Sequence, residues 1–422
     1  MNNEPKRSVR RYDVDWLRVI AVCVLVMIHT AAMFDPYPIT AVKGRSSLAL
    51  AVFSTFIHEW RLSVLFIVSG AGSYFALGFL SGREFAVSRF KRIMIPLITG
   101  TLLVVPVQLY YWQFLGNPGY SKTYVHFYLT IIYRYFVFGM FGQGRESLHW
   151  AHLWFLFYLF VISLLALPLF LYLRRDAGRR HISRLAALME RKGAIFLLVI
   201  PILLVEVTLR APQPGSARAI IVDDWANFCN YLVLFVYGFV IFSDDRIRAA
   251  IERHRVVALA LGSLTSATYL FITFTARIPV RGYNLDWTLF RMMCGFNMWF
   301  WCVAVFGFGS RLLNFNHKIL PYANSAVYPV YVLHLPVATA IAYHVVRWPV
   351  PVAVQFPVIV LGTIAVSVCI YEFILRRTRL TRFLFGLKKS KRPQRAAEPA
   401  PAAVAVGPEA LPDALPAEEA AG

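Results

Sequence analysis

The feature that most constrains this chain is a run of apolar residues, about 20 long, that recurs along nearly its whole length. A helix of about 20 apolar residues spans a bilayer. On that ruler the sequence divides into about ten segments, near 14–34, 62–80, 93–113, 152–173, 193–209, 227–243, 256–275, 286–308, 322–343 and 352–374. The composition agrees, with 58% hydrophobic residues and a mean hydropathy of +0.58, against roughly 45–50% apolar in a soluble domain. The expected fold is all-α: a polytopic integral membrane helical bundle with little room for a separate soluble domain.

Net charge is +21, from 43 Lys and Arg against 22 Asp and Glu. A balance this basic can mark a nucleic-acid binder, but here the cations fall in the connections between apolar runs. One set of connections holds "KRSVRR", "GREFAVSRFKR", "RRDAGRRHISRLAALMERK", "DDRIRAAIERHR", "SRLLNFNHK" and, after residue 374, "RRTRLTRFLFGLKKSKR". The interleaved set is poorer in Lys and Arg and rich in Pro, Asn, Tyr and Trp. Cytoplasmic loops collect Lys and Arg, so both termini are expected in the cytoplasm, with an even number of crossings and no nucleic-acid partner. "KRSVRR" before an apolar run has the outline of a signal peptide. The run is too long and carries charge, so an uncleaved first helix is expected.

Residues 1–13 then form a cytoplasmic N-terminus and 14–374 the transmembrane domain. Residues 375–422 form a basic, then Ala/Pro-rich tail, expected to be disordered for want of aromatic and branched residues. The long outer connection near 114–151 contains "VHFYLTIIYRYFVFGMF", which Arg134 interrupts, and is expected to lie along the interface. Five cysteines, all within apolar runs and without CxxC spacing, suggest neither a disulfide framework nor a metal site.

The first run carries charge where insertion penalises it. An arginine or aspartate at helix centre costs roughly 2.5–3.5 kcal/mol on insertion scales. Arg18 and His29 are eleven residues apart, which returns to within about 20° of one helix face and spans about 16 Å. Asp15, three residues before Arg18, can pair with it. Either residue alone could be explained by snorkelling to the interface or by a bond to a neighbouring helix. Their alignment on one stripe suggests a pathway from the inner surface to the outer half of the bilayer.

"YDVDWLRVIAVCVLVMIHTAAMF" at 12–34, "HEWRLSVLFIVSGAGSYFA" at 58–76, "RFKRIMIPL" at 89–97, "HLWFLFYLF" at 152–160 and "YPVYVLHLP" at 328–336 occur in one order. In those blocks the chain resembles the acyltransferase-3 family of membrane acyltransferases. Arg18 and His29 match the family's Arg–x10–His, and Arg89 and Arg92 its Arg–x–x–Arg. The resemblance implies a transmembrane O-acyltransferase in a bacterial inner membrane. Its donor substrate would be a cytoplasmic acyl-CoA, with no bound cofactor or metal. Its acceptor would be a hydroxyl of a periplasmic glucan or other polysaccharide, and one branch of the family transfers succinyl groups. Acetyl remains open.

Under that resemblance His29 is the candidate general base, because a sugar hydroxyl needs one and neutral imidazole is available near pH 7. Arg18, Arg89 and Arg92 are candidates for binding the donor's phosphates, with Asp15 holding Arg18. Positive-inside topology alone would also account for Arg89 and Arg92. Arg61 falls in the branch's R-x-x-x-x-F, where it could bind acceptor, stabilise an oxyanion or anchor at the interface. His334 could be a second catalytic histidine or a helix–helix hydrogen bond. His152 and Trp154 open the fourth run at the outer side. The alternative function is a transporter or flippase for an anionic or sugar-linked substrate, using the same stripe as its path. It is disfavoured by the absence of an internal repeat.

Overall fold

The computed structural model describes residues 11–36, 42–116, 119–138, 150–210, 225–275 and 278–387. Every regular element among them is helical: α1 (Tyr12–Phe34), α2 (Leu48–Leu77), α3 (Gly82–Trp112), α4 (Tyr124–Phe138), α5 (Ala151–Leu165), α6 (Leu167–Leu173), α7 (Asp176–Met189), α8 (Ala194–Thr208), α9 (Trp225–Ser243), α10 (Asp245–Phe274), α11 (Leu285–Leu312), α12 (Leu320–Val345), α13 (Val352–Leu375) and α14 (Arg379–Leu384). Among the described residues eight helices are long and apolar enough to cross a bilayer: α1, α2, α3 and α9–α13. The pair α5 and α6, bent by 47°, makes a ninth. Pro168 explains the bend, since its nitrogen has no proton for the Leu164 carbonyl one turn back. Helix α8 is apolar but shorter. The segment expected along the interface forms α4, with its residues 139–141 outside the described residues. Residues 388–422, most of the expected tail, also lie outside them.

Several helices extend beyond the apolar runs that announce them. Helix α2 begins at Leu48, well before the run near 62–80, and α10 begins at Asp245 instead of near 256. Hydropathy falls at "HEWR" and "DDRIRAAIERHR", but nothing there breaks a helix. The connection expected before "RFKR" is helical too. Ser81 caps α3 in a capping box with Glu84, its hydroxyl accepting from Glu84 N–H while the carboxylate accepts from Ser81 N–H.

Inside α3 two π turns, Phe90–Met94 and Gly100–Val104, precede Pro96 and Pro106. Each proline lacks the proton for an ordinary i−4 bond, and the wider turn absorbs the mismatch. Helices α2 and α9 meet through facing glycines. A Cβ on Gly70 would lie 2.0 Å from the Phe235 carbonyl oxygen, and one on Gly238 2.0 Å from that of Ile67. Small residues are what let membrane helices approach backbone to backbone.

At one end of the bundle Tyr322 donates to Glu372 at 3.2 Å, and Asn324 donates to Asp15 at 2.7 Å. The start of α1, the start of α12 and the end of α13 therefore share an end, called here the terminal end. Toward the opposite end a buried carboxylate, Glu206 on α8, gathers three neighbours. Arg210 donates to it at 2.9 Å and Asn230 of α9 at 2.5 Å, and Arg291 of α11 pairs with it as well. Glu206 is 1% exposed, so this network replaces its lost hydration and ties α8 into the bundle.

Candidate functional site

Helix α12 supplies one wall of the site, and its backbone is shaped by two internal prolines, Pro329 and Pro336. Pro336 cannot donate to the Val332 carbonyl, which would otherwise be stranded in an apolar helix. His152, at the start of α5, fills that vacancy: its Nε2–H donates to Val332 O at 3.0 Å. Tyr331 returns the contact by donating its hydroxyl to His152 O at 2.8 Å. His334 Nδ1–H donates to Tyr331 O at 2.5 Å. Carbonyls accept only, so both tautomers are set. His152 Nδ1 and His334 Nε2 are left as lone-pair acceptors, buried and without a partner.

His29 of α1 faces this pair. Its ring lies 5.2 Å from that of His334, which lies 5.1 Å from that of His152. His334 is fully buried, whereas His29 is half-buried. From α2, Arg61 and His58 come within electrostatic reach of His29. Arg61 keeps Nε and Nη1 buried without an acceptor, and His58 is exposed although it faces this interior. Arg61 lies mid-helix, about 20 Å from the start of α2, and not at the mouth of a span. An orphan buried donor or acceptor costs about 1–3 kcal/mol. Arg61, His152 and His334 thus bring unpaired donors and unpaired acceptors together around His29.

About 16 Å along α1 toward the terminal end, Arg18 donates to Asp15 at 3.3 Å and to Asn324 Oδ1 at 3.0 Å. Asn324 donates in turn to Asp15, so the three close a ring. Because Arg18 meets Asn324 and His29 meets His334, α1 and α12 run parallel with both residues on one contact face. Helix α12 carries a matching stripe, Asn324, Tyr328, Tyr331 and His334, at spacings of four, three and three residues. Asp13 pairs separately with Arg11 at 2.8 Å.

Arg89 and Arg92 diverge. Arg89 turns inward, donating to Ser73 at 2.7 Å, with its charge in reach of Arg18. Arg92 lies within the π turn, whose wider spacing rotates it out of i,i+3 register. It lines an open groove of about 530 Å³ with Arg83, Glu84, Val87, Ser88 and Lys91. Sequence reasoning missed Asn324, Ser73 and the interior position of His152. Only His152 had a signal, the carbonyl that Pro336 orphans. Among the described residues no group of three His, Cys, Asp or Glu is placed to hold a metal ion.

The fold and this site define a multi-pass helical membrane protein whose core holds a polar seam, cationic at one end and histidine-lined at the other. A sequence model of the acyltransferase-3 family, described as an acyltransferase domain, matches residues 11–372. The chain belongs to that family and is an acyltransferase transferring groups other than amino-acyl groups, with an acyl donor and an acceptor. It is 23% identical to glucans biosynthesis protein C of Escherichia coli strain K12 over 394 residues, covering 91% of this chain and 96% of that protein. The same figures hold against the proteins of that name in E. coli strain SMS-3-5 / SECEC and E. coli O81 strain ED1a. No solved structure matches.

Proposed function

We propose that the protein carries an acyl group, succinyl or acetyl, from a coenzyme A thioester at the terminal end to a hydroxyl of a glucan or other polysaccharide reaching His29 from the opposite side. The terminal end faces the cytoplasm of a bacterium in this reading, and α8 is the tenth crossing. Support comes from the basic connections, and from both ends of the described chain lying at one end of the bundle. Glucan as acceptor, and the inner membrane as location, rest on the resemblance to the E. coli proteins.

The donor's phosphates bind Arg92 in the open groove. Arg89 and Arg18, held by Ser73 and by Asp15 with Asn324, draw its chain inward. His29 takes the proton from the acceptor hydroxyl as its oxygen attacks the thioester carbonyl carbon. The C–O bond forms, and the charge moves to the carbonyl oxygen, where the free N–H groups of Arg61 can receive it. The C–S bond then breaks, and the imidazolium returns its proton to the departing thiolate.

One observation carries this reading. Unpartnered donors of Arg61 and unpartnered acceptors of His152 and His334 surround a half-buried His29 at the inner end of a cationic path. The test is His29→Ala in cells and in purified protein. Acyl transfer should fall by about 10²–10⁴-fold, with unchanged thermal unfolding. Envelope glycans that stay fully acylated, as read by mass spectrometry, would remove His29 from the chemistry.

A further inference from the structure

Arg92 is held in an unusual stretch of backbone. In its π turn Ile95 N–H donates to Phe90 O, and four residues after Arg92 stands Pro96, with no proton for the Arg92 carbonyl and a ring that crowds it. Local hydrogen bonding alone fixes such a turn weakly. Helix α5 packs against one side of this turn, while α14 packs against the turn of α3 that follows it and the chain leaving α14 reaches Arg92 itself at Gly386. The Thr378 hydroxyl caps α14, accepting from Thr381 N–H at 3.1 Å. The helix closes with Gly386 N–H donating to Phe383 O at 3.1 Å and Leu387 N–H to Arg382 O at 2.8 Å. This paired closure needs a left-handed residue, and Gly386 has φ +64°. Leu375 before α14 and Phe385 after it are buried, which anchors the segment.

Gly386 also touches the turn. A Cβ there would lie 2.9 Å from Arg92 O, 2.9 Å from Pro96 Cγ and 3.3 Å from Arg92 Cα. Glycine is thus required twice, once by its own φ and once by the backbone of Arg92. No flexible side chain could yield to make room.

We infer that α14 and its Gly386 closure buttress the Arg92 turn, making Gly386 a positioning residue for the phosphates of the donor. This rests on the donor role proposed for Arg92. A side chain at Gly386 pushes the Arg92 backbone away and withdraws its guanidinium from the groove. Gly386 itself touches no substrate.

The test measures binding of acetyl-coenzyme A and succinyl-coenzyme A to the full chain in detergent micelles, at low and high salt. Gly386→Asn tolerates the left-handed conformation yet adds the Cβ, so it separates contact from conformation. Gly386→Asn and Gly386→Ala should each weaken binding by roughly five-fold, part of one charge-assisted contact. They should also flatten its salt dependence as Arg92→Ala does. The double variant Gly386→Asn with Arg92→Ala should bind no worse than Arg92→Ala alone, because both changes remove one contact. Wild-type binding by Gly386→Asn, or additive losses in the double variant, would overturn the inference while leaving the donor role intact. An unchanged affinity in Arg92→Ala would instead overturn that role. If Gly386→Asn does not fold, Gly386→Ala in a Pro96→Ala background clears one of the two close contacts and permits the same comparison.

Discussion

At the residue scale the site is governed by a missing proton. Pro336 leaves the Val332 carbonyl without a helical donor, and His152 supplies one from another helix. Removing that imidazole strands the buried Val332 carbonyl, while the Tyr331 hydroxyl keeps its bond to the His152 backbone oxygen. His152→Ala should therefore lower stability by about 1–3 kcal/mol, measured by thermal unfolding in micelles. His152→Asn should lose less wherever its amide reaches the same oxygen. Unchanged unfolding in the alanine variant would mean that water replaces the histidine at no cost. The charge stripe was legible in the sequence because Asp15, Arg18 and His29 fall on one turn of arithmetic. Asn324 was not. An asparagine beside Tyr and Ala residues carries no sign of its partner, and 306 positions separate it from Arg18.

At the element scale the ten apolar runs located the eight or nine helices long enough to cross a bilayer among the described residues but misjudged their extent, and the run near 193–209 forms the shorter helix α8. Helix α2 runs fourteen residues ahead of the run that announced it, because a hydropathy ruler treats Glu59 and Arg61 as exits to water. Both remain inside. Tyr269 of α10 donates to Glu59 at 2.9 Å, and Arg61 turns toward the histidines. The Glu206 network escaped notice for the same reason, since a single glutamate near the end of a short run looks like a boundary. Its removal makes a sharp prediction. Glu206→Ala leaves Arg210 and Arg291 buried without their carboxylate, and breaking one side of such a network costs about 3–5 kcal/mol. Glu206→Gln, which keeps the shape and an acceptor, should cost less. Melting temperatures should rank wild type above glutamine above alanine. Three equal values would show that the network adds nothing to the hold on α8.

At the scale of the whole molecule the two halves of the seam ask for different solvents. The terminal end gathers Arg18, Arg89 and Arg92, which the proposed function gives to an anionic, water-soluble head. About 16 Å further along α1 the seam is lined by His29 and an exposed His58, with Arg61, among the described residues, as the one cation the site brings to them. In the proposed function the donor's chain runs along the seam from Arg18 to His29, so donor and acceptor need never share a compartment. The consequence is a sidedness that vesicles can read. Inverted inner-membrane vesicles expose the cytoplasmic face, so acyl-coenzyme A added outside should be consumed when glucan is enclosed. Right-side-out vesicles with glucan outside should consume only acyl-coenzyme A trapped within. His29→Ala should abolish transfer in both preparations. Arg89→Ala with Arg92→Ala should slow it most at low salt and limiting donor, where the attraction of exposed charges is least screened. Equal use of donor from either face would mean that the seam does not separate the two substrates. Transport of intact acyl-coenzyme A without glucan acylation would favour a conduit over a transferase, because the same stripe then serves passage and not reaction.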